Sequence, residues 1–347
     1  MSDPRLVALA TAVPPYALHH AEVRIRAAHL FAGAGGEIER LLPVFDNAGI
    51  ATRYSCVPIE WYEVPPGWKE RNRIYIENAV DLLERVARAC LNQARLPVEA
   101  IDAVVVVSTT GIATPSLDAL VMERLGLRRD VERLPIFGLG CAGGVLGLGA
   151  AARIARTEPK SRVLYLVVEL CALCFRKNDF SKSNIVATAL FGDGAAGAIL
   201  SSDGDGPRVG PGGQHTWEDS LDIMGWAVEE DGLRAIFSRD IPSLVRGKMR
   251  NATEGFLARN SMTLADIDGF VCHPGGVKVL TALEEAFELS EGTLDDGRSV
   301  LRDYGNMSAA TALFVLERKL SQAPRQRMLM TAMGPGFTAA FLVLDTR

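Results

Sequence analysis

The apolar positions of this chain fall into short runs closed by turn residues. The runs "AVVVVSTT" (103–110) and "GFVCHPGG" (269–276) are β-branched or aromatic stretches that meet Thr or Pro/Gly punctuation, which predicts strands. Each belongs to a longer repeated unit. Residues 94–110, "ARLPVEAIDAVVVVSTT", and residues 260–276, "NSMTLADIDGFVCHPGG", both leave a helical stretch, pass an Ile-Asp pair (Ile101-Asp102, Ile267-Asp268) and enter the apolar run. Two later segments echo in the same way. "LFGDGAAGAILSS" (190–202) and "AMGPGFTAAFLVLD" (332–345) are each a glycine turn followed by an apolar strand. Between the units lies "SSDGDGPRVGPGGQH" (201–215), whose Gly, Pro and Asp read as a linker or exposed loop. The pattern predicts an α/β protein of two similar halves, residues 1–205 and 216–347, joined near 202–216.

Composition narrows the class. With 347 residues, 48% hydrophobic and 23% charged, the chain reads as a soluble globular protein of two lobes or one large core. A net charge of −5 and the lack of a Lys/Arg block argue against nucleic-acid or anionic-membrane partners. Residues 134–152 are uncharged and nearly long enough to span a bilayer, but they contain a proline and six glycines, so a buried core helix is the expectation. The start, "MSDPRLVALATAVPP", shows no basic segment followed by a long apolar one, and a cytoplasmic location with reduced thiols is expected. The six cysteines (Cys56, Cys90, Cys141, Cys171, Cys174 and Cys272) do not make a disulfide scaffold in a chain of this size. Cys171 and Cys174 form a C-x-x-C without the context of a redox motif. A zinc site would need Cys272 and His273 as its second pair, at the wrong spacing, so no metal is expected.

The chemistry concentrates at "FGLGCAGGVLG" (137–147). Gly138, Gly140 and Gly143 fit G-x-G-x-x-G after the short apolar run "RLPIF" and before the helical "GGVLGLGAAARIA", the setting of a dinucleotide-binding turn. That reading, an NAD(P)-dependent oxidoreductase, also needs an acidic residue about 20 positions on, at the end of the next strand. Glu158 precedes the strand "RVLYLVVE", and Glu169, which ends it, lies too far along. A thiol reading does better. Cys141 stands at the N-terminal end of a helix, where the dipole and free N–H groups favour a thiolate. The glycines behind it cost roughly 1 kcal/mol each in an exposed helix and suit one packed on all sides. A reactive cysteine needs a partner. His273 stands where a strand hands over to a turn, the usual place for a site residue in α/β folds, although a lone histidine is more often structural. Asn306 lies in the Gly305-Asn306 turn of "DYGNMSAATALFVLERKL", before a helix that begins near Ser308 as N-cap. It is either a plain turn residue or an amide projected into the site.

Taken in order, "GCAGG" at Cys141, "LFGDGAA" at Phe191, "HPGG" at His273, "YGNMSAA" at Asn306 and "MGPGFT" near the C-terminus resemble the type III polyketide synthases, the chalcone-synthase-like branch of the thiolase fold. The related ketoacyl synthase III enzymes carry an Asn shortly after the His, where this chain has "HPGG" with Gly275 and Gly276. A single-round condensing enzyme of that kind is therefore the second reading. The resemblance implies an αβαβα sandwich of two thiolase-like halves, an obligate homodimer, and no cofactor beyond CoA thioesters. It implies that Cys141 accepts the acyl chain. It further implies that His273 and Asn306 hold the thioester carbonyl and stabilise the enolate formed as malonyl-CoA loses carbon dioxide, with the His273 imidazolium keeping Cys141 ionised. Phe191 matches an aromatic gate between CoA tunnel and cavity. Thr109, Thr110, Cys171, Cys174 and Ser308 match pocket positions, and Thr114 matches the residue that crosses the dimer interface.

The departures shape the substrate expectation. The second gate aromatic falls at Ala235, with Phe237 two residues on, so the gate is either wider or rebuilt. Of the three basic positions that grip CoA in plant members, the matches are Arg40, Pro43 and Asn47, so one charge remains. CoA is then held with help from Lys278, or the starter arrives on an acyl carrier protein. The segments "RYSCVPIEWY" and "MGWAVEEDGL" look like bacterial members that make alkylpyrones or alkylresorcinols from fatty acyl starters. The expectation is iterative condensation of malonyl-CoA on a medium- or long-chain starter.

Overall fold

In the first half of the chain, β1 (Arg5–Ala12), β2 (Tyr16–His19) and β3 (Thr52–Ser55) are followed by β4 (Ala103–Val107), β5 (Glu132–Ile136), β6 (Arg162–Leu170) and β7 (Asp193–Ser201). The helices of this half are α1 (His20–Leu30), α2 (Pro43–Asn47), α3 (Trp68–Ala94), α4 (Leu117–Leu125), α5 (Gly143–Thr157) and α6 (Lys182–Leu190). The second half contains β8 (Arg208–Thr216), β9 (Met224–Glu229), β10 (Gly232–Phe237), β11 (Gly269–Cys272), β12 (Arg327–Gly334) and β13 (Thr338–Asp345). Its helices are α7 (Ile241–Arg259), α8 (Val277–Phe287), α9 (Asp295–Tyr304) and α10 (Thr311–Ser321). This computed structural model describes residues 3–31, 42–158, 160–322 and 325–347.

Nine strands share one hydrogen-bonded order, β11-β12-β13-β8-β1-β7-β6-β4-β5. The join between β1 and β8 is a single pair, Arg5 with Arg208, so the order divides into two mixed sheets. The repeat is visible in their construction. β4 runs parallel to β6, and β6 antiparallel to β7; β11 runs parallel to β12, and β12 antiparallel to β13. The Ile-Asp pairs do the same work in both halves. Asp102 accepts from the N–H of Arg162 at 2.9 Å and Asp268 from that of Arg327 at 2.7 Å. Each carboxylate thereby fixes the register at which a parallel pair begins.

The strands are apolar on both faces because both faces are covered. Val104, Val106, Leu164 and Leu166 pack beneath α3 and α4. Val105, Val107, Tyr165 and Val167 point the other way, into a central layer built on α5 and α10 that also takes up Met328, Met330 and Leu342 from the second sheet. The outer face of that sheet, with Phe270, Leu329 and Phe341, is closed by α7 and α8. The result is the expected αβαβα sandwich. The glycines of α5 permit the central approach: a Cβ at Gly144 would lie 2.1 Å from the Ala309 carbonyl oxygen, and one at Gly147 would strike Val107 and Tyr165. Among the described residues no helix is long and apolar enough to cross a membrane, and residues 134–152 divide between β5, a turn and α5.

The linker reading of 201–215 is corrected. Only its first part is a loop; Arg208–Thr216 is β8, paired along β13 from Thr216 opposite Thr338 to Arg208 opposite Asp345. Its composition follows from packing. A Cβ at Gly213 would meet the Phe256 ring at 2.7 Å, and Pro211 falls within the irregularity between the Leu342 and Leu344 pairings, where a missing N–H costs no ladder bond.

Candidate active site

Cys141 sits on a 3-10 turn, Gly140–Ala142, that feeds directly into α5. Gly140 has φ +47°, and a Cβ there would lie 2.5 Å from Pro335, so the turn requires glycine. The space beside Gly140 and Gly143 is filled by Pro335, Val107 and Ala309, while Gly138 faces open space. The turn presents a thiol, and two of the three glycines of the dinucleotide pattern are closed to a pyrophosphate. Of the six cysteines, Cys141 alone is half-buried; the other five are buried.

The thiol of Cys141 lies 3.6 Å from the Ser308 hydroxyl, to which it donates. Ser308 does not cap a helix as expected. It begins a second 3-10 turn, Ser308–Ala310, with φ +46°, and its N–H is held at 2.8 Å by the side-chain oxygen of Asn306. That bond fixes the Asn306 amide so that its Nδ2 faces the turn after His273, 3.4 Å from the Gly275 carbonyl. The backbone of Asn306 is knitted to residues 190–192: its N–H donates to Leu190 at 2.8 Å, and its carbonyl accepts from Gly192 at 3.0 Å. Phe191 is thereby placed beside Asn306. His273 follows β11, its N–H bonded to the Thr331 carbonyl on β12 at 2.8 Å. It is buried, and neither ring nitrogen has a hydrogen-bond partner among the described residues.

One residue at this site was weighed in the sequence for a different purpose. Glu169, at the end of β6, is wholly buried; its Oε2 accepts from the Thr109 N–H at 3.1 Å, and its Oε1 accepts from the Ser308 hydroxyl at 3.4 Å. Burial pushes its carboxyl up to about 7, opposed by the Thr109 N–H, the Thr110 hydroxyl, the Ala309 N–H and the Ser308 hydroxyl. The Thr109 hydroxyl accepts from the Gly140 N–H at 3.2 Å, and that of Thr110 from the Leu170 N–H at 2.9 Å. Both threonines therefore brace the site.

The expected thiolate–imidazolium pair is not present. Burial pushes the Cys141 thiol up to about 12; the Ser308 contact opposes this and the Glu169 charge adds to it. Burial pulls His273 down to about 4. Desolvation outweighs the helix end, since among the described residues no cation contacts the sulfur, and burial favours the neutral form of both groups.

A narrow cavity lies against Phe191. Its walls include Cys171, Cys174, Phe191 and Ala235, together with Val23, Ala27 and Leu30 of α1. Thr109, Thr110, Ser308 and Phe237 are not among its walls. Cys141 is outside it too, yet close enough to be among the groups that raise the Cys171 thiol. Beside Ala235, Trp226 and Phe237 pack on Phe191 at ring separations of 5.7 and 5.6 Å. Several polar groups along the wall are turned into the protein. Tyr62 pairs with Ser55 at 2.9 Å, Arg53 donates to the Phe191 carbonyl at 3.0 Å, and Arg26 pairs with Glu63. Asn184 donates to the carbonyls of Arg176 and Asp179 at 2.8 and 2.7 Å, and Thr188 donates to Asn184 at 2.7 Å.

The CoA-side positions are distributed differently. Arg40 lies outside the described residues. Pro43 and Asn47 are in α2, Lys278 is exposed in the first turn of α8, and Gly275 and Gly276 link His273 to that helix. Thr114 is exposed on the loop between β4 and α4.

Comparison with known proteins agrees with this architecture. The chalcone and stilbene synthase N-terminal domain family matches residues 56–204, and the C-terminal domain family matches residues 214–346. The chalcone synthase-like protein of Bacillus subtilis (strain 168) is 36% identical over 98% of both chains. The 1,3,6,8-tetrahydroxynaphthalene synthase of Streptomyces peucetius subsp. caesius is also 36% identical, over 98% of this chain and 92% of its own. The crystal structure of the corresponding synthase from Streptomyces coelicolor A3(2), a bacterial type III polyketide synthase, superposes with a TM-score of 0.93 at 26% identity, covering 98% of this chain and 99% of that one. This chain belongs to the chalcone and stilbene synthase family and is a type III polyketide synthase, a condensing acyltransferase.

Proposed function

We propose that this synthase loads a medium- or long-chain acyl starter on Cys141, extends it repeatedly with malonyl-CoA and closes the product to an alkylpyrone or alkylresorcinol. No cofactor beyond the thioesters enters the reading. The observation that carries it is the cavity behind Phe191. Its wall is largely apolar, and Arg53, Tyr62, Asn184 and Thr188 are bonded into the protein, which suits a hydrocarbon chain. The chemistry is supported by two neighbouring donors. A buried His273 whose ring nitrogens have no partner among the described residues, and an Asn306 amide oriented by its bond to Ser308, suit the thioester oxygen on which charge develops during decarboxylation. Starter delivery as a CoA thioester or on an acyl carrier protein uses the same acyl site.

Each buried methylene is worth roughly 0.8 kcal/mol, so four extra methylenes favour the longer starter by about 3 kcal/mol, some two orders of magnitude. With malonyl-CoA and a panel of acyl-CoAs, mass spectrometry of the products is expected to show dodecanoyl starters used in preference to butyryl. Cys174→Phe fills the cavity wall and is expected to reverse that preference, leaving butyryl use nearly unchanged. Preference for acetyl or aromatic starters, or an equal loss at all lengths, rules the reading out.

We also propose a homodimer formed on the β5 edge. Among the described residues β5 pairs with β4 alone, leaving an open edge of the kind proteins usually cover. Next to it Phe137 is 62% exposed and Ile112 45%, and the buried carboxylate of Asp118 has no hydrogen-bond partner among the described residues beyond its 3.5 Å ion pair with Arg133 of β5. Thr114 lies on the same loop as Ile112. Phe137→Glu is expected to yield monomer in light scattering; an unchanged dimer would move the interface elsewhere.

A further inference from the structure

We infer that Arg71 is a positioning residue for starter selection: it holds the Cys171–Cys174 turn, which forms part of the acyl cavity wall. This rests on the reading of the cavity against Phe191 as the acyl site. Arg71 lies in the first turn of α3 and is buried. Its Nη1 donates to the carbonyl of Leu173 at 3.0 Å and to that of Phe175, and its Nε donates to the Pro66 carbonyl at 2.7 Å. Two of these acceptors belong to the turn and to the residue that closes it. The guanidinium packs over the Trp61 ring, 5.3 Å from its centre. All three bonds go to carbonyls. The carboxylate whose charge acts on Arg71, Asp231, pairs instead with Arg176 at 2.6 Å. Burial lowers the pKa of Arg71, and the dipole of α3 disfavours a cation in its first turn. A buried charge with no carboxylate of its own costs stability, so its place here is explained by what it holds.

The turn is gripped from its other side as well. Asp193, at the start of β7, accepts from the Ala172 N–H at 2.8 Å with Oδ1 and from the Cys56 N–H at 2.8 Å with Oδ2. A buried cation thus holds carbonyls of the turn, and a buried carboxylate holds one of its N–H groups. Cys171, Ala172 and Cys174 of this turn line the cavity, whereas Arg71 does not, so Arg71 acts through them. It also meets the opposite wall. A Cβ at Gly232 would lie 3.4 Å from Trp68 and 4.0 Å from Arg71 Cδ. Gly232 opens β10, whose Ala235 lines the cavity beside Trp226 of β9. Arg71 therefore sets the spacing between two walls. Dispersion falls steeply with distance, and a radial gap of roughly 0.5–1 Å forfeits a quarter to a half of each contact. A long chain gains from every methylene packed on a fixed wall, and a short chain gains from few.

The test is competition between equimolar dodecanoyl-CoA and butyryl-CoA for acyl loading of the full-length protein, with initial rates read by intact mass. Both acyl masses come from one folded population, so a loss of folded protein does not move their ratio. Arg71→Met keeps the apolar stem and removes the donors. It is expected to lower the dodecanoyl-to-butyryl ratio about tenfold, as from the packing of roughly two methylenes, through a higher KM for dodecanoyl-CoA at nearly constant kcat. Arg71→Lys keeps the charge on a single head that reaches fewer carbonyls, and an intermediate fall is expected. That variant decides the matter where Arg71→Met does not fold. A wild-type ratio in Arg71→Met, or in Arg71→Lys where it stands in, overturns the positioning role and leaves the acyl site standing. Wild-type protein that loads butyryl at least as fast as dodecanoyl overturns the reading of the cavity, and the role of Arg71 with it.

Discussion

Cys141→Ala is expected to abolish acyl loading and to lower polyketide formation by about a millionfold, the scale on which a covalent catalyst fails when its nucleophile is removed. The expectation rests on how differently the six cysteines are placed. Cys56, Cys90, Cys171, Cys174 and Cys272 are buried, and burial raises each of their thiols. Cys141 is also raised, but it alone is half-buried, stands at the head of α5 and has the Ser308 hydroxyl beside its sulfur. Incubation with dodecanoyl-CoA should add the acyl mass to the peptide containing Cys141 and to no other. The variant should still decarboxylate malonyl-CoA, because enolate stabilisation is assigned to His273 and Asn306 and not to sulfur. Acyl mass retained in Cys141→Ala, carried by Cys171 or Cys174, would refute the assignment.

The parts of this site legible in the sequence are those whose neighbours along the chain announce them. Cys141 stands between the apolar run and the glycine-rich helix, His273 ends "GFVC", and Asn306 follows the glycine of a turn. The Ile-Asp pairs were legible because Asp102 and Asp268 do one job twice. Glu169 was visible only as the acidic residue that closes "RVLYLVVEL". Its partners are Ser308, 139 residues away, and the Thr109 N–H from a further segment. The raised Cys141 thiol was missed for the same reason: the helix end is local, whereas the desolvation that outweighs it comes from the whole fold. The packing of Trp226 on Phe191 was hidden because β9 supplies it from nine residues before Ala235. In β8 the glycines read as loop, yet they are there because α7 and β13 approach too closely for side chains.

Asn306→Ala and His273→Ala are each expected to slow malonyl-CoA decarboxylation by roughly a hundredfold to a thousandfold, the usual cost of one oxyanion donor. The two losses should not add fully, since both donors serve a single oxygen. Alanine at 306 removes the amide and also frees the Ser308 N–H, so Asn306→Asp is the sharper variant: it keeps an acceptor for that N–H and removes the donor. It should lose as much decarboxylation as the alanine while keeping the fold. The pH dependence separates the roles of the imidazole. His273 is depressed from its ordinary value near 6.5 to about 4, so it takes up a proton only as the pH falls through 4. Between about pH 5 and 8 it stays neutral, and decarboxylation by the wild type should be flat with respect to this group. A rate that climbs as pH falls from 7 to 5, and that loses this climb in His273→Ala, would mean that the imidazolium is the active donor and that substrate binding raises its pKa by more than two units. Decarboxylation at the parent rate in Asn306→Asp would remove Asn306 from the enolate site.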